Sequence, residues 1–151
     1  MTRVEVPMGN VRVNSGGETL TASGIGSCLV IALWDPVRRA GGLAHAMLPP
    51  ASRPPGCNGQ DTKYTDAAID EMLGQMLAGG SKREHLEAKI VGGANMFPNL
   101  KADLGSENIR SAKEKLDREH IGLTRECVGG AAGRSVEFCT ASGIVTVKVK
   151  F

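Results

Sequence analysis

Apolar residues fill both alternating sets of positions between residues 29 and 34: Leu29, Ile31 and Leu33 in one set, Val30, Ala32 and Trp34 in the other. A strand with this pattern is buried on both faces, so we predict a central strand here. Asp35-Pro36 ends the run, because proline suits the second position of a turn. Residues 42–48 predict the returning strand of a hairpin, which stops at Pro49-Pro50.

Shorter patterns predict the remaining elements. Strand-like stretches lie at residues 2–14, 18–23, 86–91, 121–128, 134–140 and 144–151. Helical spacing predicts one helix that Asp61 or Thr62 caps and that runs to about Leu77, and a second helix that Ser106 caps. Together these elements predict a single α/β domain over residues 1–151, built as a sandwich of largely antiparallel or mixed β-sheet with two main flanking helices.

Composition narrows the class of protein. The 151 residues are 41% hydrophobic and 23% charged, which is typical of a soluble globular protein. The net charge of +2 is spread without blocks, and only 3% of residues are aromatic, so we predict no nucleic-acid partner. The longest fully apolar run, residues 28–34, is far shorter than the roughly 20 residues of a membrane span. With no signal-peptide pattern at the N-terminus, we expect a cytoplasmic protein that is not inserted into a membrane.

The four cysteines are Cys28, Cys57, Cys127 and Cys139. Disulfides seldom persist in the cytoplasm, and the spacing of Cys and His residues matches no zinc motif, so we predict neither a disulfide nor a metal site. Cys127 and Cys139 fall in strand-like segments and suit small buried positions, and Cys57 lies in a Pro/Gly-rich loop. Cys28 follows a glycine-rich bend directly before the central strand, where it is either a core residue or a nucleophile.

The predicted hairpin relates Cys28 to a histidine. If the turn is a tight one at residues 35–38, Cys28 lies directly opposite His45, with Cβ atoms ~5 Å apart. A longer loop that includes residues 39–42 would change this register. An imidazole beside a thiol can take its proton and return it to a leaving amine. Backbone N–H groups near Gly26, Ser27 and Cys28 can stabilise an oxyanion if the bend points them inward. The alternative is that both side chains are ordinary core residues.

Five sequence blocks carry a family resemblance: GIGSCLVIALWDP, GGLAHAMLP, KYTDAAI, LEAKIVGGANMF, and GRSVEF followed by SG. In this order they resemble the CheD family, the chemoreceptor glutamine deamidases of bacterial and archaeal chemotaxis. The resemblance implies Cys28 as nucleophile, His45 as general base and no cofactor. It implies a fold related to the catalytic domain of cytotoxic necrotizing factor toxins.

The same resemblance implies a substrate and partners. The expected substrates are selected glutamine side chains on the cytoplasmic helical bundle of chemoreceptors, which the enzyme hydrolyses to glutamate by way of a thioester. Hydrolysis of receptor glutamyl methyl esters is a second reaction, and the phosphatase CheC a second partner, that the family suggests. Two other classes stay open: a non-catalytic adaptor that binds receptors or CheC, and a different thiol acyl-transferase such as a transglutaminase or peptidase.

One position departs from the family pattern. The family has an active-site threonine six residues before the cysteine, and here that residue is Ala22. Thr21 and Ser23 flank it but point to the opposite face of a regular strand, unless a bulge turns one of them inward. We also expect Asn95 to line the substrate groove. Met96 and Phe97 suit either the wall of that groove or the core, and the sequence alone favours the core.

Overall fold

The computed structural model describes residues 2–97 and 103–150. In this part of the chain the elements are β1 Arg3–Glu5, β2 Val11–Asn14, β3 Thr19–Ile25, β4 Leu29–Asp35, β5 Ala40–Ala46, α1 Thr65–Ala78, β6 Glu87–Gly92, α2 Leu104–Arg118, β7 Gly122–Val128, β8 Gly133–Cys139 and β9 Val145–Lys150, with short 3-10 turns at Pro50–Ser52 and Arg83–His85. One sheet has the strand order β1-β3-β8-β9, and the other has the order β2-β5-β4-β6-β7.

The five-stranded sheet separates two hydrophobic cores. On one face, Leu29, Ile31 and Leu33 of β4 pack with the apolar stripe of α1 and with Ala112 and Leu116 of α2. On the other face, alternate residues of the same sheet pack against the four-stranded sheet: Val30, Ala32 and Leu43 meet Leu20, Val136 and Phe138. The result is three layers, helices, sheet and sheet, with β4 in the middle. The predicted α/β sandwich with two main helices is confirmed, as is a central strand buried on both faces.

The predicted hairpin register is wrong by two residues. Asp35 pairs with Ala40, so the turn contains four residues instead of two, and Val30 rather than Cys28 lies opposite His45. The physical reason is the Asp35 side chain, whose Oδ1 accepts hydrogen bonds from the N–H groups of Val37 at 2.9 Å and Arg38 at 3.2 Å. These two hydrogen bonds stabilise the four-residue turn over the two-residue turn that the sequence predicted.

Both helices begin at other residues than the sequence indicates. Helix α1 starts at Thr65 without a side-chain cap, because Asp61 instead accepts a hydrogen bond from Lys63 N in the preceding turn. Helix α2 starts at Leu104, and its cap is Asp103, whose carboxylate accepts from Ser106 N and Ser106 Oγ. Ser106 is therefore a donor to the cap. Neither helix is long and apolar enough to cross a membrane in the ranges 2–97 and 103–150.

Close backbone contacts bring α2 against the loop that follows β6. A Cβ atom on Gly105 would overlap the carbonyl oxygens of Gly93 and Ala94, and one on Gly92 would overlap the carbonyl oxygen of Cys28. Gly92 and Gly93 also have positive φ angles, of 115° and 66°, which glycine adopts without strain. These glycines let the first turn of α2, the loop after β6 and the bend before β4 meet without side chains between them.

Candidate active site

A groove of about 390 Å³ lies where these three segments meet. Its lining includes Gly26, Ser27, Cys28, Asn95, Met96 and Leu104. The structure therefore brings together the predicted nucleophile and every residue that the sequence suggested for the oxyanion or substrate loop. His45 is not among the lining residues and lies deeper, on the neighbouring strand β5.

The bend before β4 turns its carbonyl groups into the protein. Three successive carbonyl oxygens accept hydrogen bonds at 2.8–2.9 Å: Gly26 O from Ala94 N, Ser27 O from Asn108 Nδ2 and Cys28 O from Gly93 N. Every peptide bond in the described ranges is trans, and in a trans peptide the C=O and N–H groups point in opposite directions. The N–H groups of Ser27 and Cys28 are thus directed away from these interior donors.

His45 is held in one tautomer. Its side chain is buried, and Nδ1 lies 3.1 Å from the carbonyl oxygen of Val6. Because a carbonyl oxygen only accepts, Nδ1 carries the proton and Nε2 keeps the lone pair of a base. Nε2 is buried and has no hydrogen-bond partner among the described residues. Burial lowers the pKa of His45, so the imidazole is neutral at neutral pH.

The Cys28 thiol is covered. Only 9% of the residue is exposed, and Sγ lies 3.8 Å from the thioether sulfur of Met8, which is itself 56% exposed. Burial raises the pKa of the Cys28 thiol, and the residue's own backbone N–H opposes that change in part. The Cys28 thiol is therefore protonated at neutral pH and lies against the flexible side chain of Met8.

Cys28 and His45 lie on the same face of the five-stranded sheet. His45 pairs with Val30, two residues after Cys28, and both Cys28 and Val30 belong to the core between the sheets. The two side chains are thus diagonal neighbours, a relation in which Cα atoms are about 7–8 Å apart and longer side chains can still meet. The segment of residues 6–8 contacts both side chains, because Val6 O bonds to His45 Nδ1 and the Met8 sulfur lies against Cys28 Sγ.

Strand β3 contains the bulge that the sequence analysis allowed, with one extra residue between Ala22 and Ile25. The bulge does not bring a hydroxyl to the thiol. Ala22 is buried in the same core as Cys28, whereas Ser23 is exposed and its Oγ donates to Glu5 at 3.3 Å. Thr21 lies between two inward-facing residues and points to the other face. The structure thus places neither Thr21 nor Ser23 beside Cys28.

Met96 and Phe97 belong to the rim of the groove, and the prediction that they pack in the core is wrong. They are 46% and 69% exposed, respectively. The Met96 thioether lies against Gly26, where a Cβ atom would collide with it. Asn95 fixes this segment, because its N–H donates to Gly130 O at 2.8 Å and its Oδ1 accepts from Phe97 N at 3.2 Å.

Sequence reasoning missed Asn108, Val6 and Met8. Asn108 does carry a signal, because it lies four residues before Ala112 on the otherwise apolar stripe of α2. Val6 and Met8 carry none, since they belong to a short irregular stretch whose contacts are with residues distant in the chain.

Comparison with known proteins identifies the family. The family model described as "CheD chemotactic sensory transduction" matches residues 47–149. A protein of Pyrococcus abyssi named "Probable chemoreceptor glutamine deamidase CheD" is 38% identical over 98% of this chain and 93% of its own length. One of Geobacter metallireducens, "Probable chemoreceptor glutamine deamidase CheD 2", is 40% identical over 96% and 92%. This chain belongs to the CheD family.

Two further matches, one by sequence and one by structure, cover a smaller share of this chain. The protein named "Chemoreceptor glutamine deamidase CheD" from Halalkalibacterium halodurans is 37% identical over 89% of this chain and 86% of its own length. Among solved structures, the Bacillus licheniformis hypothetical protein YfiH aligns with 72% of this chain at 18% identity and a TM-score of 0.46. This chain spans 46% of that protein's length.

The contact between Met8 and Cys28 gives a prediction. We expect Met8→Ala to raise the rate at which iodoacetamide alkylates Cys28 several-fold at pH 7.5, roughly the effect of opening a covered thiol and moving its pKa back toward about 8.5. Peptide mapping by mass spectrometry measures the rate. The exposed Cys57 provides the control within the same molecule, and its rate stays unchanged. An unchanged Cys28 rate in the variant would show that Met8 does not limit access.

Proposed function

We propose that this chain is a protein-glutamine deamidase that converts selected glutamines of chemoreceptor cytoplasmic domains to glutamate through a thioester on Cys28. The observation that best supports this chemistry is the His45 tautomer. A bond from Nδ1 to Val6 leaves the Nε2 lone pair without a partner on the face of the sheet that carries the thiol. The names of the 35–40% identical relatives support the substrate class.

The first half-reaction forms the thioester. Cys28 Sγ leaves Met8 and donates its proton to His45 Nε2, and the thiolate attacks the carbonyl carbon of the glutamine side chain. The N–H groups of Ser27 and Cys28 stabilise the resulting oxyanion. Its collapse breaks the C–N bond, and ammonia leaves with the proton that His45 returns.

The second half-reaction restores the enzyme. His45 takes a proton from water, the hydroxide attacks the thioester, and the C–S bond breaks to give glutamate and the Cys28 thiol. The net change is the hydrolysis of one amide, and the receptor helix gains one negative charge. Such a charge on a helix surface changes its electrostatic interactions with neighbouring helices, which provides a route to signalling in chemotaxis.

The same groups suit a glutamyl methyl ester, with methanol as the leaving group in place of ammonia, and we propose this as a second reaction of the site. Both reactions take place where receptor cytoplasmic domains lie, which makes the chain a cytoplasmic enzyme. CheC as a partner stays a family-level prediction.

Removal of either reacting group gives the most direct test. We expect Cys28→Ala to abolish the conversion of Gln to Glu in a receptor cytoplasmic fragment, and His45→Ala to slow it by ~10²-fold or more, the usual effect of losing a general base. Mass spectrometry detects each conversion as a gain of about 1 Da, the difference between –NH₂ and –OH.

Cys57→Ala and His120→Asn are the matched controls. Cys57 and His120 are both exposed, and asparagine tolerates the positive φ of 59° at position 120. We expect both controls to keep wild-type rates. Receptor conversion by Cys28→Ala at a rate comparable to wild type would contradict the thioester mechanism.

The pH dependence follows from burial. Because burial lowers the pKa of His45, the base stays unprotonated below the ordinary imidazole pKa of about 6.5, and we expect the acid limb of kcat/KM to lie below that pH. Because burial raises the Cys28 pKa, iodoacetamide alkylation of free enzyme keeps rising above pH 8.5, roughly the ordinary thiol pKa. An acid limb centred at or above about pH 6.5, the ordinary imidazole pKa, would contradict the assignment of a neutral thiol and a neutral imidazole.

The exposed rim gives a binding prediction. A glutamine on an intact receptor helix must reach Cys28 while the helix stays outside, so apolar side chains at the rim are expected to contact it. Phe97→Ala should weaken binding to a receptor fragment about 5-fold or more, the loss of one apolar anchor of roughly 1 kcal/mol or more, and leave Tm unchanged. Ile144→Ala is the control, because Ile144 is 62% exposed and lines a different surface cavity. If Phe97→Ala and the wild-type protein bind the receptor fragment with equal affinity, the docking surface lies elsewhere.

A further inference from the structure

Asn108 joins two parts of the site from inside the protein. The residue is fully buried in α2, and its Nδ2 donates to Ser27 O at 2.8 Å and to Met47 O at 3.0 Å. Ser27 immediately precedes Cys28, and Met47 lies two residues after His45. One side-chain amide therefore spans the bend that carries the thiol and the end of the strand that carries the imidazole.

The orientation of this amide is determined by its partners. Both are carbonyl oxygens, which only accept, so the NH₂ group must face them and Oδ1 must point away. Oδ1 is buried and has no hydrogen-bond partner among the described residues. An unpaired buried carbonyl is unfavourable, and an apolar residue would continue the stripe of α2 without that cost. What an asparagine at position 108 contributes is therefore the two hydrogen bonds that its Nδ2 donates.

The bond to Ser27 acts directly on the peptide group of the nucleophile. Because Ser27 C=O and Cys28 N–H belong to one trans peptide, holding the oxygen toward α2 directs the N–H the opposite way. That N–H also lowers the pKa of the Cys28 thiol, in partial opposition to burial. The bond to Met47 fixes where β5 ends relative to this peptide.

The helix itself is anchored at this turn. Ser111 Oγ donates to Asn108 O at 3.1 Å and lies 2.6 Å from Thr65 Oγ1 of α1. This turn of α2 therefore also contacts α1, whereas only the two Nδ2 bonds of Asn108 reach the bend and the end of β5.

We infer that Asn108 is a positioning residue, which sets the orientation of the Ser27–Cys28 peptide group and its placement relative to the His45 strand. This inference deepens the proposed function and rests on it for its effect on turnover. Its effect on the free thiol does not depend on which substrate the protein acts on.

Asn108→Leu tests it, since leucine has a similar volume and no donor. We expect kcat for the receptor fragment to fall by about 10²-fold, as displacements near 1 Å produce, with KM within about 3-fold of wild type. Ser111→Ala is the matched control on the same helix, because it removes the bonds to α1 and to Asn108 O but leaves both Nδ2 bonds. The control should stay within about 2-fold of wild-type kcat, since it leaves the reacting groups in place.

Alkylation of Cys28 in the absence of receptor is the second readout. Loss of the fixed N–H orientation removes a contact that lowers the thiol pKa, so the pH midpoint of iodoacetamide alkylation rises in Asn108→Leu and stays unchanged in Ser111→Ala. If Asn108→Leu does not fold, the isosteric Asn108→Asp, which replaces the NH₂ donors with oxygen, is measured in its place.

The outcomes separate the two proposals. A wild-type protein that deamidates no receptor glutamine refutes the proposed function, and the alkylation profiles still decide the role of Asn108. A folded Asn108 variant with the wild-type alkylation profile overturns the inference. Equal losses of kcat in the Asn108 variant and in Ser111→Ala overturn it as well, because they would show only general loosening of α2.

Discussion

Strand β4 has no polar face, and that constraint determines where the candidate site lies. Helices cover one side and the second sheet covers the other, so the backbone that enters β4 must already be inside the protein. Buried carbonyl groups need donors. The bend at Gly26–Cys28 obtains them from the loop after β6 and from Asn108, and the geometry that satisfies these carbonyls is the one that turns the N–H groups of Ser27 and Cys28 the other way. One arrangement thus satisfies the buried carbonyl groups and turns these two N–H groups away from their donors.

The same burial sets the protonation states of Cys28 and His45. It raises the pKa of Cys28 and lowers the pKa of His45, and both shifts favour the neutral forms. A buried thiolate–imidazolium pair would carry a large desolvation cost without other partners. The thiol therefore keeps its proton at rest, and the carbonyl of Val6 fixes the tautomer of the neutral imidazole.

Local patterns predicted the layers of this fold, because the apolar positions of β4 and the stripe of α1 reflect which faces are buried. They failed for the hairpin register, since one side chain, Asp35, stabilises a four-residue turn that strand patterns do not record. Residue type, context and the family resemblance suggested Cys28 and His45 as a reacting pair, and their roles stay a prediction. Val6 and Met8 were not, because their roles arise from contacts between distant segments, and Asn108 was visible only as a polar interruption of an apolar stripe.

The cover that Met8 provides has a consequence for oxidative chemistry. Peroxides oxidise thiolates far faster than thiols, and a sulfur that rests protonated and shielded reacts slowly. Met8 is 56% exposed, and its thioether sulfur lies 3.8 Å from Cys28 Sγ. Cys28 thus rests in a form that resists oxidation, next to an exposed methionine whose sulfoxide is a reversible modification.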